Sequence, residues 1–149
     1  MAIDTRFIGK TWPDLSYNVC KEKIREYAKA IKNPDPHYVD EEFARKSKYG
    51  CIIAPPTFCV VFGGALIEPI FFDNELNLNL MMLVHGEQEF EFYEVVKDRD
   101  TITSTAKITD IVNKEKLDVL TVEVQSKNQH GRNVCRRSEE HTSELQSHD

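Results

Sequence analysis

Hydrophobic positions change their period midway along the chain. Ile24, Tyr27, Ala28 and Ile31 recur at i, i+3, i+4 and i+7, which predicts an amphipathic helix over about 20–32. Asn18 is the nearest side chain able to cap its start, and Pro34 stops it. Asp40 reads as the cap of a second, short helix with Glu41 and Glu42 in its first turn. Arg45 and Lys46 fall in its last turn, and Gly50 ends it. From Pro55-Pro56-Thr57 to about Leu66 the residues are apolar almost all round, so a third helix there is expected to be buried on every side. Gly63-Gly64 costs this helix roughly 1 kcal/mol of propensity per glycine, which close approach of a neighbouring backbone is expected to offset.

The second half reads with a period of two. Gln88, Phe90 and Phe92 alternate with Glu89, Glu91 and Tyr93. Ile102, Ser104, Ala106 and Ile108 alternate with threonines and Lys107, and Leu120, Val122 and Val124 with Thr121, Glu123 and Gln125. These are half-buried strands, with turns at 113–116 and 129–132. The last hairpin is expected to return through Asn133-Val134-Cys135. Helices first, then antiparallel strands, give an α+β class. One apolar helix plus a long meander suggests a sheet curled around that helix.

Composition narrows the function classes. A length of 149 residues points to one domain, and 40% apolar with 30% charged residues is ordinary for a soluble protein. A net charge of -6 without a basic stripe speaks against a nucleic-acid partner. The longest apolar run, 59–67, is too short to cross a bilayer, and Asp4, Arg6 and Lys10 do not suit a signal peptide. A cytoplasmic protein without a membrane role is therefore expected. Cys20, Cys51, Cys59 and Cys135 lack metal-ligand spacing and read as reduced thiols, with no metal or redox cofactor implied.

The C-terminal segment 137–149 stands apart. Arg137-Ser138-Glu139-Glu140-His141-Thr142-Ser143-Glu144-Leu145-Gln146-Ser147-His148 resembles the in-frame translation of a common sequencing adaptor. It is polar with an isolated Leu145, and is read as a non-native tail outside the core. It holds four of the 25 acids and one of the 19 bases, so residues 1–136 carry about -3. The natural domain is expected to span 1–136, with its final strand truncated.

Four stretches carry a family resemblance across nearly all of 7–136. They are Lys23-Ile24-Arg25-Glu26-Tyr27-Ala28, Asp35-Pro36-His37-Tyr38, Ala54-Pro55-Pro56-Thr57-Phe58, and Val84-His85-Gly86-Glu87-Gln88-Glu89-Phe90. Together they resemble the MaoC-like dehydratase family, and most of all its N-terminal-type domain. That type includes the non-catalytic subunit of heterodimeric (3R)-hydroxyacyl-ACP dehydratases. The resemblance implies a hot-dog fold and a role with acyl-CoA or acyl carrier protein thioesters. In catalytic members an Asp and a His transfer the protons, and the N-terminus of the central helix supplies a backbone N–H. Here Asn33 stands at the Asp position and Tyr38 at the His position.

Dehydrating a 3-hydroxyacyl thioester needs a general base, a general acid and donors for the developing enolate. Asn33 does not titrate, and a tyrosine ordinarily has a pKa near 10. No catalytic residue is therefore assigned, and the dyad is expected on a partner hot-dog chain or domain. Asp35 and His37 are two residues apart where the family pair is five apart; catalysis and turn chemistry both remain open for them. The candidate substrate-binding set is Asp35, His37, Tyr38, Ala54, Pro56, Thr57, Phe58, His85 and Gly86. Thr57 reads as a helix cap or a substrate contact, His85 as structural or functional, and Phe58 as core by default. Part of 67–83 is a candidate lining for an acyl channel. A hot-dog thioesterase and an inactive acyl-thioester-binding or structural module are the alternatives; the first is disfavoured because 58–67 holds no carboxylate.

Overall fold

The computed structural model describes residues 2–144. Five strands, β1 (Leu15–Asn18), β2 (Leu83–Phe92), β3 (Thr101–Asn113), β4 (Leu117–Lys127) and β5 (Asn133–Glu144), form one antiparallel sheet in the order β1-β3-β4-β5-β2. The meander β3-β4-β5 is sequential, whereas β2 crosses over to pair with β5 and β1 with β3. Helices α1 (Lys21–Ala30), α2 (Pro36–Val39) and α3 (Glu41–Lys46) precede a helical run made of α4 (Cys59–Gly63) and α5 (Ile67–Phe71). Short 3-10 turns at Pro56–Phe58 and Gly64–Leu66 complete that run.

The inner face of the sheet explains the packing. Ile102, Ala106, Ile108, Leu120, Val122 and Val124 alternate inward and are buried against the helical run. Leu66 and Ile70 meet the far half of β3 and β4. Phe58, Cys59 and Phe62 meet Ile102, Val134 and Cys135, with Ile24 and Ala44 of α1 and α3 closing the same cluster. The α+β hot-dog arrangement expected from the pattern is present. Each fully buried side chain of this size contributes about 1.5–3 kcal/mol of transfer free energy.

Two features of the helical run depart from expectation. Gly63-Gly64 breaks it into short segments, and only one face is covered. Thr57, Gly64, Ala65 and Glu68 face outward, with Val60 and Val61 half-covered. A Cβ on Gly63 would lie 3.2 Å from Arg137 Nη1 and 3.7 Å from Val124 Cγ1, whereas one on Gly64 would meet nothing within 4 Å. Side chains, not a backbone, therefore press on this helix, and only at the first glycine.

The final strand also corrects the sequence reading. Residues 137–144, expected to lie outside the fold, form two-thirds of β5 and pair on both sides with β4 and β2. Backbone ladders do not depend on side-chain identity, so a polar segment flanked by free N–H and C=O groups can complete them. The consequence is that Arg137, Glu139, His141 and Ser143 point inward and are buried. The last five residues of the proposed tail, 145–149, lie outside the described residues.

Strand β2 is an edge, and nearly all of its side chains remain exposed, with Leu83 and Phe90 half-buried. The half-buried strand predicted from its alternation is thus open on both faces. Two ties fix the N-terminal segment. Asp118 accepts from Ile3 N (2.9 Å) and Asn113 Nδ2 (2.6 Å). Asp73, just after α5, accepts from Trp12 Nε1 (3.1 Å) and pairs with Lys10 Nζ (2.8 Å).

Candidate functional site

Asp35 is the cap of α2: its Oδ1 accepts from the His37 backbone N–H (2.9 Å) and lies 2.8 Å from His37 Nδ1. The His37 backbone and ring both donate to this carboxyl and hold its pKa below the ordinary range. The His37 ring stands edge-on to Phe43 (4.9 Å) and Tyr49 (6.0 Å). Turn chemistry is thus present at Asp35, and an Asp–His pair comes with it. His37, Tyr38, Lys48, Tyr49 and Ile53 line a shallow open depression.

At the two dyad-equivalent positions, Asn33 is exposed and its Oδ1 accepts weakly from Asp35 N (3.4 Å). Tyr38 packs on the core, and burial, with the charge of Asp35 and Tyr49 nearby, pushes its phenol above the ordinary value. Neither side chain changes charge near neutral pH.

The segment before the helical run is held by two backbone bonds, Ile53 N to His37 O (3.1 Å) and Ala54 N to Val96 O (2.8 Å). Ala54, Pro55 and Pro56 then form one wall of an apolar cavity of about 150 Å³, with Phe92, Tyr93, Glu94, Val95 and Val96 opposite. Cys59, Val134 and Cys135 complete its lining. Thr57 does not cap the run: Pro55 occupies the cap position, and no side chain bonds there. Proline φ is preset for a first turn, so the geometry forms without a capping hydroxyl. Thr57 Oγ1 and O instead accept from Tyr27 Oη, at 2.8 and 3.1 Å. Phe58 is fully buried among Tyr17, Tyr27 and Phe62 and is a core residue.

His85 and Gly86 lie elsewhere, at a bulge in β2. A Cβ on Gly86 would make ordinary contact with Glu140 O at 3.6 Å, so no steric need dictates glycine there. His85 faces His141 across the ladder, 5.1 Å between rings, and its Nε2 lies 3.9 Å from Glu139 Oε1. Glu139 also accepts from Gln88 Nε2 (2.9 Å), pairs with the Arg137 guanidinium, and lies 3.4 Å from His141 Nε2. Burial raises the Glu139 carboxyl, but His141 and Arg137 outweigh it and its pKa falls below the usual carboxylate value. His85, Glu139 and His141 bring ligand atoms within 4.8 Å of one another, a spacing that could hold a cation. The Arg137 charge already occupies the shared carboxylate and opposes a second cation.

The predicted site residues therefore do not converge: His37 and Tyr38 line the open depression, with Asp35 bonded to His37; Ala54 and Pro56 line the cavity; Thr57 and Phe58 pack with Tyr27; and His85 and Gly86 lie on the edge strand. Among 67–83, Ile70 and Leu76 join the core while Phe72 and Met81 face solvent, and none lines the cavity beside Ala54. The sequence reading missed the tie from Tyr27 to Thr57, which an aromatic one helical turn from Ile24 and Ile31 does not announce. It also missed that Cys59 and Cys135 line one cavity, which depends on how the sheet curls.

A curled antiparallel sheet holding a central helical run defines a protein of the hot-dog class. The chain belongs to the family described as FAS1-like, dehydratase domain region, whose match covers residues 6–137. It is similar to a UPF0336 protein of Saccharopolyspora erythraea, 36% identical over 136 residues, covering 91% of this chain and 87% of that one. Among solved structures it superposes on the C-terminally truncated HadBC (3R-hydroxyacyl-ACP dehydratase) complex of Mycobacterium tuberculosis with a TM-score of 0.80 at 22% identity, covering 92% of this chain and 97% of that one. It also matches the ChsH1-ChsH2 complex of the same organism, TM-score 0.67 at 17% identity, over 93% of this chain and 98% of that one. No helix among the described residues is long and apolar enough to cross a membrane.

Proposed function

We propose that this chain is the non-catalytic, pocket-forming subunit of an R-specific 3-hydroxyacyl-thioester dehydratase or enoyl-thioester hydratase in fatty-acyl metabolism. The observation that carries the reading is the pair Asn33 and Tyr38: an amide that cannot titrate and a phenol that burial keeps protonated. A partner hot-dog chain or domain supplies the Asp and His. The open edge of β2, the outward face of the helical run, and exposed Phe72 (65%), Met81 (95%) and Val84 (61%) support a partner. Two of the structural relatives are described as complexes, and one of these as a hydroxyacyl-ACP dehydratase.

The test is hydration of crotonyl-CoA by the pure chain, alone and after mixing with a catalytic hot-dog chain. No turnover alone, and turnover with the partner that His37→Ala leaves unchanged, is the expected result. A second reading makes the chain an enzyme by itself, on the strength of the Asp35–His37 pair at 2.8 Å. Turnover by the pure chain that Asp35→Ala or His37→Ala abolishes would establish that reading instead.

We also infer that residues 137–149 are not native. The family match ends at Arg137, and the buried Arg137 has Nε and Nη1 without partners. A natural inner strand face rarely buries a charge with free N–H groups.

A further inference from the structure

Strand β2 leaves one side of its backbone unpaired, and its two faces carry different chemistry. Beyond the bulge, Glu87, Glu89 and Glu91 lie on the outer face, opposite Glu140, Ser138 and Arg136 of β5, and all three are exposed. Phe90 and Phe92 lie on the inner face, their rings stacked with centroids 5.7 Å apart. Arg136 is the cation beside the acidic row, 3.6 Å from Glu89 and 3.7 Å from Glu91. Its Nε is already bound to Glu123 at 3.1 Å, so one guanidinium serves three carboxylates and Glu87 lies beyond its contacts.

Free N–H and C=O groups along an edge accept almost any strand, and the side chains decide which one stays. Directly opposed residues of an antiparallel pair point to the same face, where like charges are destabilising. Two copies of β2 related by a two-fold axis at any residue from 87 to 91 therefore set glutamate directly against glutamate. With the axis at Glu89, Glu87 meets Glu91 on both sides and Glu89 meets its own copy. The aromatic face accepts a copy of itself, whereas the acidic row repels one. We propose that this edge docks a strand of a different chain or domain, one that turns Lys or Arg toward Glu87, Glu89 and Glu91 and apolar side chains toward Phe90 and Phe92. The same row keeps two copies of this chain from pairing here. Under the proposed function, on which this identity of the partner rests, the docked strand belongs to the catalytic hot-dog chain or domain.

The experiment uses a charge-reversed copy of the full chain as the basic partner. Sedimentation equilibrium compares the unaltered chain, the Glu87→Lys, Glu89→Lys, Glu91→Lys variant and their equal mixture, at low and high salt. The mixed pair is expected to bind about tenfold more tightly than either chain binds itself, and high salt should erase most of that gap. The Glu87→Gln, Glu89→Gln, Glu91→Gln variant removes the charge at nearly constant size and should self-associate more tightly than the unaltered chain; it decides the matter if the lysine variant does not fold. Equal affinity of the unaltered chain for itself and for the lysine variant would overturn the proposal, as would self-association that the glutamine variant leaves unchanged. Hydration of crotonyl-CoA by the pure chain would instead overturn the functional reading and leave these affinities where they are.

Discussion

Strands β4 and β5 lie side by side with the same inward–outward alternation, yet their inner faces carry opposite chemistry. β4 turns Leu120, Val122 and Val124 inward, whereas β5 beyond Cys135 turns Arg137, Glu139, His141 and Ser143 inward. Both faces are buried, so the difference lies in what burial yields. On β4 it yields transfer free energy; on β5 it demands compensation, through the Arg137–Glu139 pair and its contacts with His141 and Gln88. Regular pairing, then, says little about which segment stabilises the sheet.

The comparison breaks most severely at either extreme. Phe58→Ala, on the apolar side, is expected to cost about 3–5 kcal/mol in urea unfolding; a cost below about 1 kcal/mol would mean that this cluster is not the core. Glu139→Ala leaves the Arg137 charge buried without its partner, and a loss of about 3–5 kcal/mol is expected from the same measurement. Replacing both Arg137 and Glu139 by Leu should instead be neutral or raise stability by about 1–4 kcal/mol. A large loss in that double variant would show that the polar face is well matched to its surroundings.

Acid titration sharpens the contrast. Glu139 has a folded pKa depressed from its ordinary value of 4.5, so its contribution is complete above that value and disappears as pH falls through the lower, folded one. Thermal melts below pH 4.5 should therefore fall more steeply for the chain with the Arg137–Glu139 pair than for the Leu double variant; parallel curves would contradict this. The smallest effect is expected for Tyr27→Phe, which removes the bonds to Thr57 at a cost of about 0.5–1.5 kcal/mol.

Much of the architecture was legible because its signals are periodic. The spacing of Ile24, Tyr27, Ala28 and Ile31 marks α1, though its cap residue is Cys20 and Asn18 accepts instead from Thr101. Asp40 caps α3 as expected, through Phe43 N at 3.2 Å. The alternations over 101–108 and 120–125 place β3 and β4 with the right inner faces. Strand β1 and helix α2 escaped notice because four residues are too few to show a period. β5 was misjudged because side-chain polarity was read as absence from the sheet, although the ladder is made by the backbone. The helical run looked buried all round because an apolar surface does not reveal whether its cover belongs to the same chain. Of the candidate site, the frame Asp35 to Tyr38 and Ala54 to Phe58 was visible as local text. The His85–His141 facing and the shared cavity of Cys59 and Cys135 require strand register and sheet curvature, which no local pattern encodes.

The clasp at Asp73 has a practical consequence. The chain contains one tryptophan, and its indole N–H ends on that carboxylate while Lys10 Nζ lies 5.5 Å from the ring centre. Its fluorescence is therefore an intrinsic gauge of whether the first dozen residues are seated against the loop that leaves α5. Any partner that lifts that strap should announce itself as a change in emission colour, with no label attached.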